Sequence, residues 1–175
     1  MNKIAIIGSG GSGKSTLSRE LGEILDKQVY HLDALFWKPG WVGVPREKQT
    51  SVQQELVEQE SWIIDGNYGG TMEIRLHKAD TIIFLDISRA ICTYRIIKRW
   101  IQYRNKTRPD MGEGCEERIS LEFLQWVWKY PSTKRPIILE KLNSLSNEKE
   151  VIILTSPKEV RQFLERIKTS IFQKT

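Results

Sequence analysis

Cysteine and histidine are scarce in this sequence, with two of each among 175 residues. Cys92 and Cys115 cannot build a disulfide framework and neither sits in a C-x-x-C, while His31 and His77 lack metal-ligand spacing. Zinc-type and dithiol redox chemistry are therefore not spelled out, and both histidines read as ordinary residues. No apolar run approaches the roughly 18–20 residues that cross a bilayer. No signal-peptide pattern opens the chain, so a reducing, cytoplasmic setting without a membrane partner is the expectation. Internal repeats, low-complexity tracts and Pro/Ser-rich linkers are also missing. With 39% hydrophobic and 28% charged residues the chain has the composition of a globular protein. Its length fits one domain spanning residues 1–175.

Acids are missing from one stretch. Residues 87–109 hold seven basic side chains (Arg89, Arg95, Lys98, Arg99, Arg104, Lys106, Arg108) and no Asp or Glu. They account for the formal net charge of +5, because the remainder has 20 basic against 22 acidic residues. Positive charge gathered in this way suits a compact polyanion better than a whole-surface nucleic-acid coat.

Five short apolar or β-branched runs, at residues 3–7, 28–32, 62–64, 81–85 and 151–154, read as strands. They are continuous rather than alternating, the pattern of strands covered on both faces. Helical segments are expected at about 14–25, 46–58, 89–103, 116–129, 132–145 and 157–171. Strands separated by helices imply an α/β fold, a parallel sheet in three layers. Ser156-Pro157-Lys158-Glu159 is a capping box with proline at the first helical position. In the 89–103 helix, Ala90, Tyr94, Ile97 and Ile101 form an apolar stripe, with Arg95 and Arg99 one turn apart beside it.

The most specific signal is Gly8-Ser9-Gly10-Gly11-Ser12-Gly13-Lys14-Ser15, followed by Thr16. It fits G-x-x-x-x-G-K-[ST] between an expected strand and an expected helix, the context that makes the pattern a phosphate-binding loop. Glycines let backbone amides close on phosphate oxygens, and the helix start adds its positive end. Lys14 would neutralise the β- and γ-phosphates of ATP, and the Ser15 hydroxyl would ligate Mg²⁺.

Ligands in open parallel sheets lie beyond the carboxyl ends of the strands, here Gly8, Asp33, Asp65, Asp86 and Thr155-Ser156. Asp65, ending the apolar run Trp62-Ile63-Ile64, has the Walker B pattern and is a candidate Mg²⁺ partner. Asp33 could orient or deprotonate an acceptor, or cap a helix. Asp86 reads as a cap for the helix that follows. Residues 155–157, Ser156 among them, would border the adenine. Arg104 and Arg108, in a segment with Pro109, Gly112 and Gly114, resemble a mobile lid at about 104–116 that closes with Arg95 and Arg99 to stabilise charge and exclude water. Aromatics gather at Phe36, Trp37 and Trp41, where an acceptor pocket would lie within an insertion at about 34–60. They gather again at Phe123, Trp126, Trp128 and Tyr130, read first as core and second as a stacking surface.

The phosphate loop, "WIIDGNY" (62–68) and "ADTIIFLDISRAICTYRIIKRW" (79–100) together resemble adenylate kinase and its relatives. That resemblance implies a five-stranded P-loop NTPase fold with a short lid, of the adenylate/shikimate kinase type. Arg95 and Arg99 then match paired arginines that stack on adenine and touch phosphate. The whole chain, including "HLDALFWKPGW", "RPDMGEG" and "EFLQWVWKYP", is similar to small bacterial proteins labelled DNA topology modulation (FlaR-type) proteins. One departure matters. The arginine that grips the acceptor monophosphate in adenylate kinases has no counterpart in residues 65–70, leaving Arg46 and Arg75 as its candidate replacements.

Two functional expectations follow. The first is an ATP-dependent phosphotransferase using Mg²⁺ and a nucleotide or small-molecule acceptor, with Lys14, Asp33, Arg99 and Arg108 as its catalytic residues. The second is a nucleotide-switched, DNA-associated regulator whose basic stretch grips phosphate backbone. The first is favoured, because the positive charge sits where a lid belongs and no DNA-reading motif is present.

Overall fold

The structure, a computed structural model, describes residues 1–173. The last two residues of the expected 1–175 unit lie outside the described ones. Strands β1 (Lys3–Gly8), β2 (Val29–His31), β5 (Trp62–Asp65), β6 (Thr81–Leu85) and β7 (Glu150–Leu154) form one sheet, ordered β2-β5-β1-β6-β7. Every pairing in it is parallel, with Ile4 opposite Ile63 on one side and Ile6 opposite Ile83 on the other. The α/β class and the five-stranded parallel sheet therefore match the sequence reading.

The continuous apolar runs have a direct cause. Ile4 and Ile6 point into one core with Leu17 and Leu21 of α1 (Lys14–Leu25) and Phe163 and Leu164 of α8 (Pro157–Phe172). Ala5 and Ile7 point into the other, against Val57 of α3 (Arg46–Val57), Leu76 of α4 (Met72–Lys78) and Leu142 of α7 (Arg135–Leu145). Each isoleucine so buried contributes roughly 1.5–3 kcal/mol.

Several elements differ from expectation. A short helix α2 (Leu32–Phe36) and an antiparallel hairpin, β3 (Trp37–Lys38) with β4 (Val42–Gly43), fill the start of the 34–60 region. The helix α4 follows β5 after a 3-10 turn at Gly69–Thr71. The helix expected at 116–129 is α6 (Leu121–Thr133), because the Ser120 hydroxyl accepts from the Phe123 N–H and fixes the start there. On α5 (Arg89–Gln102) the expected core stripe faces solvent. Tyr94 and Ile101 are 64% and 66% exposed, while Cys92 and Ile96 are buried. Ser88, not Asp86, caps α5; Asp86 instead accepts from Arg135 Nε at 2.8 and 2.9 Å.

Candidate functional site

The turn from β1 into α1 is built on positive φ angles at Gly8 (149°), Gly11 (74°) and Gly13 (102°). Space is as restrictive as torsion. A Cβ on Gly10 would lie 2.4 Å from the Phe123 ring, and one on Gly11 would lie 2.4 Å from the Cys92 carbonyl oxygen. The loop is thus clamped from outside by α5 and α6. Inside it the Ser9 and Ser12 hydroxyls are buried without a hydrogen-bond partner among the described residues. Lys14 Nζ folds back to donate to the Ser9 carbonyl at 2.9 Å. Burial lowers the Lys14 pKa, and Asp33 and Asp65 pull it back up.

Asp65, at the end of β5, is 3% exposed and accepts from Ser18 Oγ at 2.6 Å. Its Oδ2 also lies 2.9 Å from His31 Nδ1. His31 is therefore not an ordinary residue. Desolvation lowers its pKa, but the hydrogen bond and charge of Asp65 prevail and raise it. Asp33, in the first turn of α2, accepts from the Tyr68 hydroxyl at 2.8 Å, and the Trp37 side chain hydrogen-bonds that same hydroxyl. Burial, followed by the Asp33 charge and hydrogen bond, keeps Tyr68 protonated far above the ordinary phenol range.

A cavity of about 850 Å³ brings these groups together. It is lined by Gly10 to Thr16, Asp33, Asp65, Arg95, Arg99 and Arg108, and also by Trp37, Trp41, Asn67 and Tyr68. Gly8, Ser9 and Ser156 are not among the lining residues, although Val160 and Leu164 of the helix that Ser156 caps are. The Ser156 hydroxyl caps α8, accepting from the Glu159 N–H at 3.3 Å, while Glu159 accepts from the Thr155 N–H at 2.8 Å.

The arginines are not loose. Arg95 Nη1 donates to the Ser12 carbonyl at 2.9 Å, bracing the phosphate loop. Arg99 Nε donates to Glu117 at 3.0 Å. Arg108 meets Glu117 at 2.6 Å and Asp110 at 3.1 Å. Desolvation and then Arg108 lower the Arg99 pKa, against the pull of Glu117. Asp110 also accepts from the Ser15 hydroxyl. Partial burial raises the Asp110 pKa, but Arg108, Ser15 and other partners outweigh it and hold the carboxyl below its ordinary value. Sequence reasoning missed Asp110 and Glu117, although Asp110 is the first residue after the acid-free stretch.

Segment 104–116 rests on the β3–β4 hairpin. The Gly40 N–H donates to Gly114 O at 2.9 Å, Trp41 Nε1 donates to Glu116 O at 2.8 Å, and Cys115 Sγ lies 3.2 Å from Lys38 O. A Cβ on Gly112 would lie 2.6 Å from the Trp37 carbonyl oxygen.

No protein-family model matches the sequence, and no curated protein matches it either. Solved structures do. Shikimate kinase from Acinetobacter baumannii, determined with shikimate, aligns over 100% of this chain and 95% of its own at 20% identity, TM-score 0.63. A gluconokinase from Sinorhizobium meliloti aligns over 99% and 97% at 14% identity, TM-score 0.52. Deoxyadenosine kinase from M. mycoides aligns over 98% and 99% at 17% identity, TM-score 0.51. The chain has the fold of P-loop kinases.

Within that fold the two candidate replacements for an acceptor-gripping arginine are both engaged. Arg46 Nη2 donates to Gly70 O at 2.8 Å on the surface. Arg75 is fully buried and donates to Gln53 Oε1 and Gly66 O, each at 2.9 Å. Burial brings its pKa down to about 10, against the opposing pull of Asp65 and Tyr68. The residues expected at a Mg²⁺ site fit a hard cation in chemistry. Ser15, Asp65 and the added Asp110 offer oxygen donors beside the phosphate loop, the set magnesium prefers when it also holds nucleotide phosphates.

Proposed function

We propose that this chain is an ATP-dependent phosphotransferase. One observation carries the reading: a glycine turn with two buried, partnerless hydroxyls and a lysine folded into it, opening on strand-end carboxylates. Such a loop is costly to keep without an anion, because buried polar groups lacking partners are unfavourable.

The triphosphate of ATP lies in the turn at residues 8–15, held by backbone amides and Lys14. Ser15 and Asp65 would hold Mg²⁺, which when bound would neutralise charge on the phosphates. Asp33, oriented by Tyr68, accepts the proton of an acceptor hydroxyl. The acceptor oxygen forms a bond to the γ-phosphorus as its bond to the bridging oxygen breaks, and the electron pair leaves on ADP. Arg99 and Arg108 stabilise the transferring charge, and Arg95 acts chiefly through the loop it braces. Residues 34–60 form the acceptor side and 104–116 the lid of one kinase-like domain. The acceptor is a nucleotide or other small molecule, the setting cytoplasmic, and the relatives those of adenylate kinase and the topology-modulation proteins.

The DNA-associated alternative draws on Arg89, Lys98, Arg104 and Lys106, which are exposed. Against it, the other three basic residues of that stretch line the cavity. Duplex binding through those four cations would weaken by about 0.9 log units per phosphate contact for each tenfold rise in salt. A gel shift at physiological salt reads this directly.

The phosphotransfer reading is tested by following γ-labelled ATP with candidate acceptors, using wild type and Asp33→Asn. Transfer that exceeds hydrolysis to water, and falls 100-fold or more in Asp33→Asn with ATP affinity kept, supports it. Hydrolysis alone, equal in both proteins, contradicts it.

A further inference from the structure

Building on the phosphotransfer reading, we propose that the acceptor side of the cavity takes an uncharged ring alcohol rather than a phosphorylated or carboxylated one. Most cations near the acceptor are already engaged, and Arg19, which also lines the cavity, is exposed to water like Arg118. Arg46 is tied to Gly70 O, Arg75 is sealed beneath Gly66, and Arg99 and Arg108, held by Glu117, serve the transferring phosphate rather than an acceptor anion. Arg118 stacks over the Trp41 ring, 5.1 Å from its centroid, and is exposed, where attraction for an anion is screened by water. A dianion placed beside Asp33 would meet that carboxylate, while the buried guanidinium of Arg75 is spent on Gln53 and Gly66.

The groups that remain ask for hydrogen-bond donors and flat faces. Asn67 lines the cavity; its side-chain amide donates to the Tyr130 hydroxyl, leaving Oδ1 buried without a partner among the described residues. Asp33 is held for proton acceptance through Trp37 and Tyr68. An ionised phosphate carries only acceptors and satisfies neither, whereas an alcohol with ring hydroxyls or amines donates to both. Trp37 and Trp41, 5.7 Å apart, offer indole surface for the face of a ring.

The test is an initial-rate panel with Mg²⁺ and γ-labelled ATP. It sets nucleosides and monosaccharides against the matching 5′- or sugar phosphates and ring hydroxy acids. Binding of a non-hydrolysable ATP analogue is measured separately by calorimetry. The expected result is a kcat/KM at least tenfold higher for an uncharged member than for its anionic counterpart. Asn67→Ala and Trp41→Leu should each raise the acceptor KM about tenfold with analogue affinity within twofold. Arg46→Ala and Arg118→Ala should change neither quantity more than twofold. Preference for an anionic acceptor overturns the proposal, as does a tenfold loss confined to Arg118→Ala. Analogue binding with no uncharged member phosphorylated also overturns it, and absent analogue binding removes the phosphotransfer reading as well.

Discussion

The Glu117 carboxylate meets the Arg108 guanidinium at 2.6 Å, and both side chains are almost wholly buried. The same carboxylate takes Arg99 at 3.0 Å, so one acid just past segment 104–116 ties α5 to Arg108 within that segment. A buried pair of this kind says little about net stability while intact, but removing one partner strands the other.

Glu117→Gln should therefore destabilise the protein by about 3–5 kcal/mol, measured by urea denaturation. A saturating ATP analogue should return part of that loss, because its phosphates give Arg99 and Arg108 another anion. A loss below about 1 kcal/mol would mean that the pair is dispensable.

Gly11 and Gly40 have almost the same φ, 74° and 76°, but a Cβ on Gly40 meets nothing within 4 Å. Gly40→Ala should cost only the left-handed torsion, about 1–2 kcal/mol, and leave nucleotide affinity alone. Gly11→Ala adds a collision with the Cys92 carbonyl and should reduce ATP-analogue affinity tenfold or more. Denaturation and calorimetry on the pair separate strain from site geometry.

Asp80 anchors the first strand, accepting from the Asn2 and Lys3 N–H groups at 2.7 and 2.9 Å. Partial burial pushes its pKa up, but the Lys3 N–H, the Thr81 hydroxyl, the Asn2 N–H and the terminal amine outweigh this and bring it below 3.8. A depressed acid stabilises the fold above its unfolded pKa, and that stability disappears as pH falls through the folded value. Denaturation midpoints of wild type should drop below about pH 4, and Asp80→Asn should show a shallower drop. Parallel profiles would exclude the role.

How much of this was legible in sequence depends on the range of the forces involved. The phosphate loop and α8 cap were readable because their determinants are neighbours: Gly8 to Ser15, and Ser156 with Glu159. The His31–Asp65 contact joins residues 34 apart, and no local spacing announces it. Glu117 likewise finds Arg99 only because segment 104–116 folds back. On α5, apolar residues occupy two faces, Ala90, Tyr94, Ile97 and Ile101 on one and Cys92 and Ile96 on the other. Periodicity alone cannot choose between them. The choice is made by the phosphate loop, whose Gly11 packs on the Cys92 backbone. The short α2 and α4 lie below the length at which local propensity decides structure, and their burial against the sheet supplies the rest.

The most direct measurement is calorimetric titration of a non-hydrolysable ATP analogue with Mg²⁺ into wild type and Lys14→Ala. Micromolar binding by wild type that weakens at least 100-fold in the variant, about 3 kcal/mol, is the predicted result. Undiminished binding by a folded Lys14→Ala protein would contradict the account, because the triphosphate would then lie somewhere other than the turn at residues 8–15.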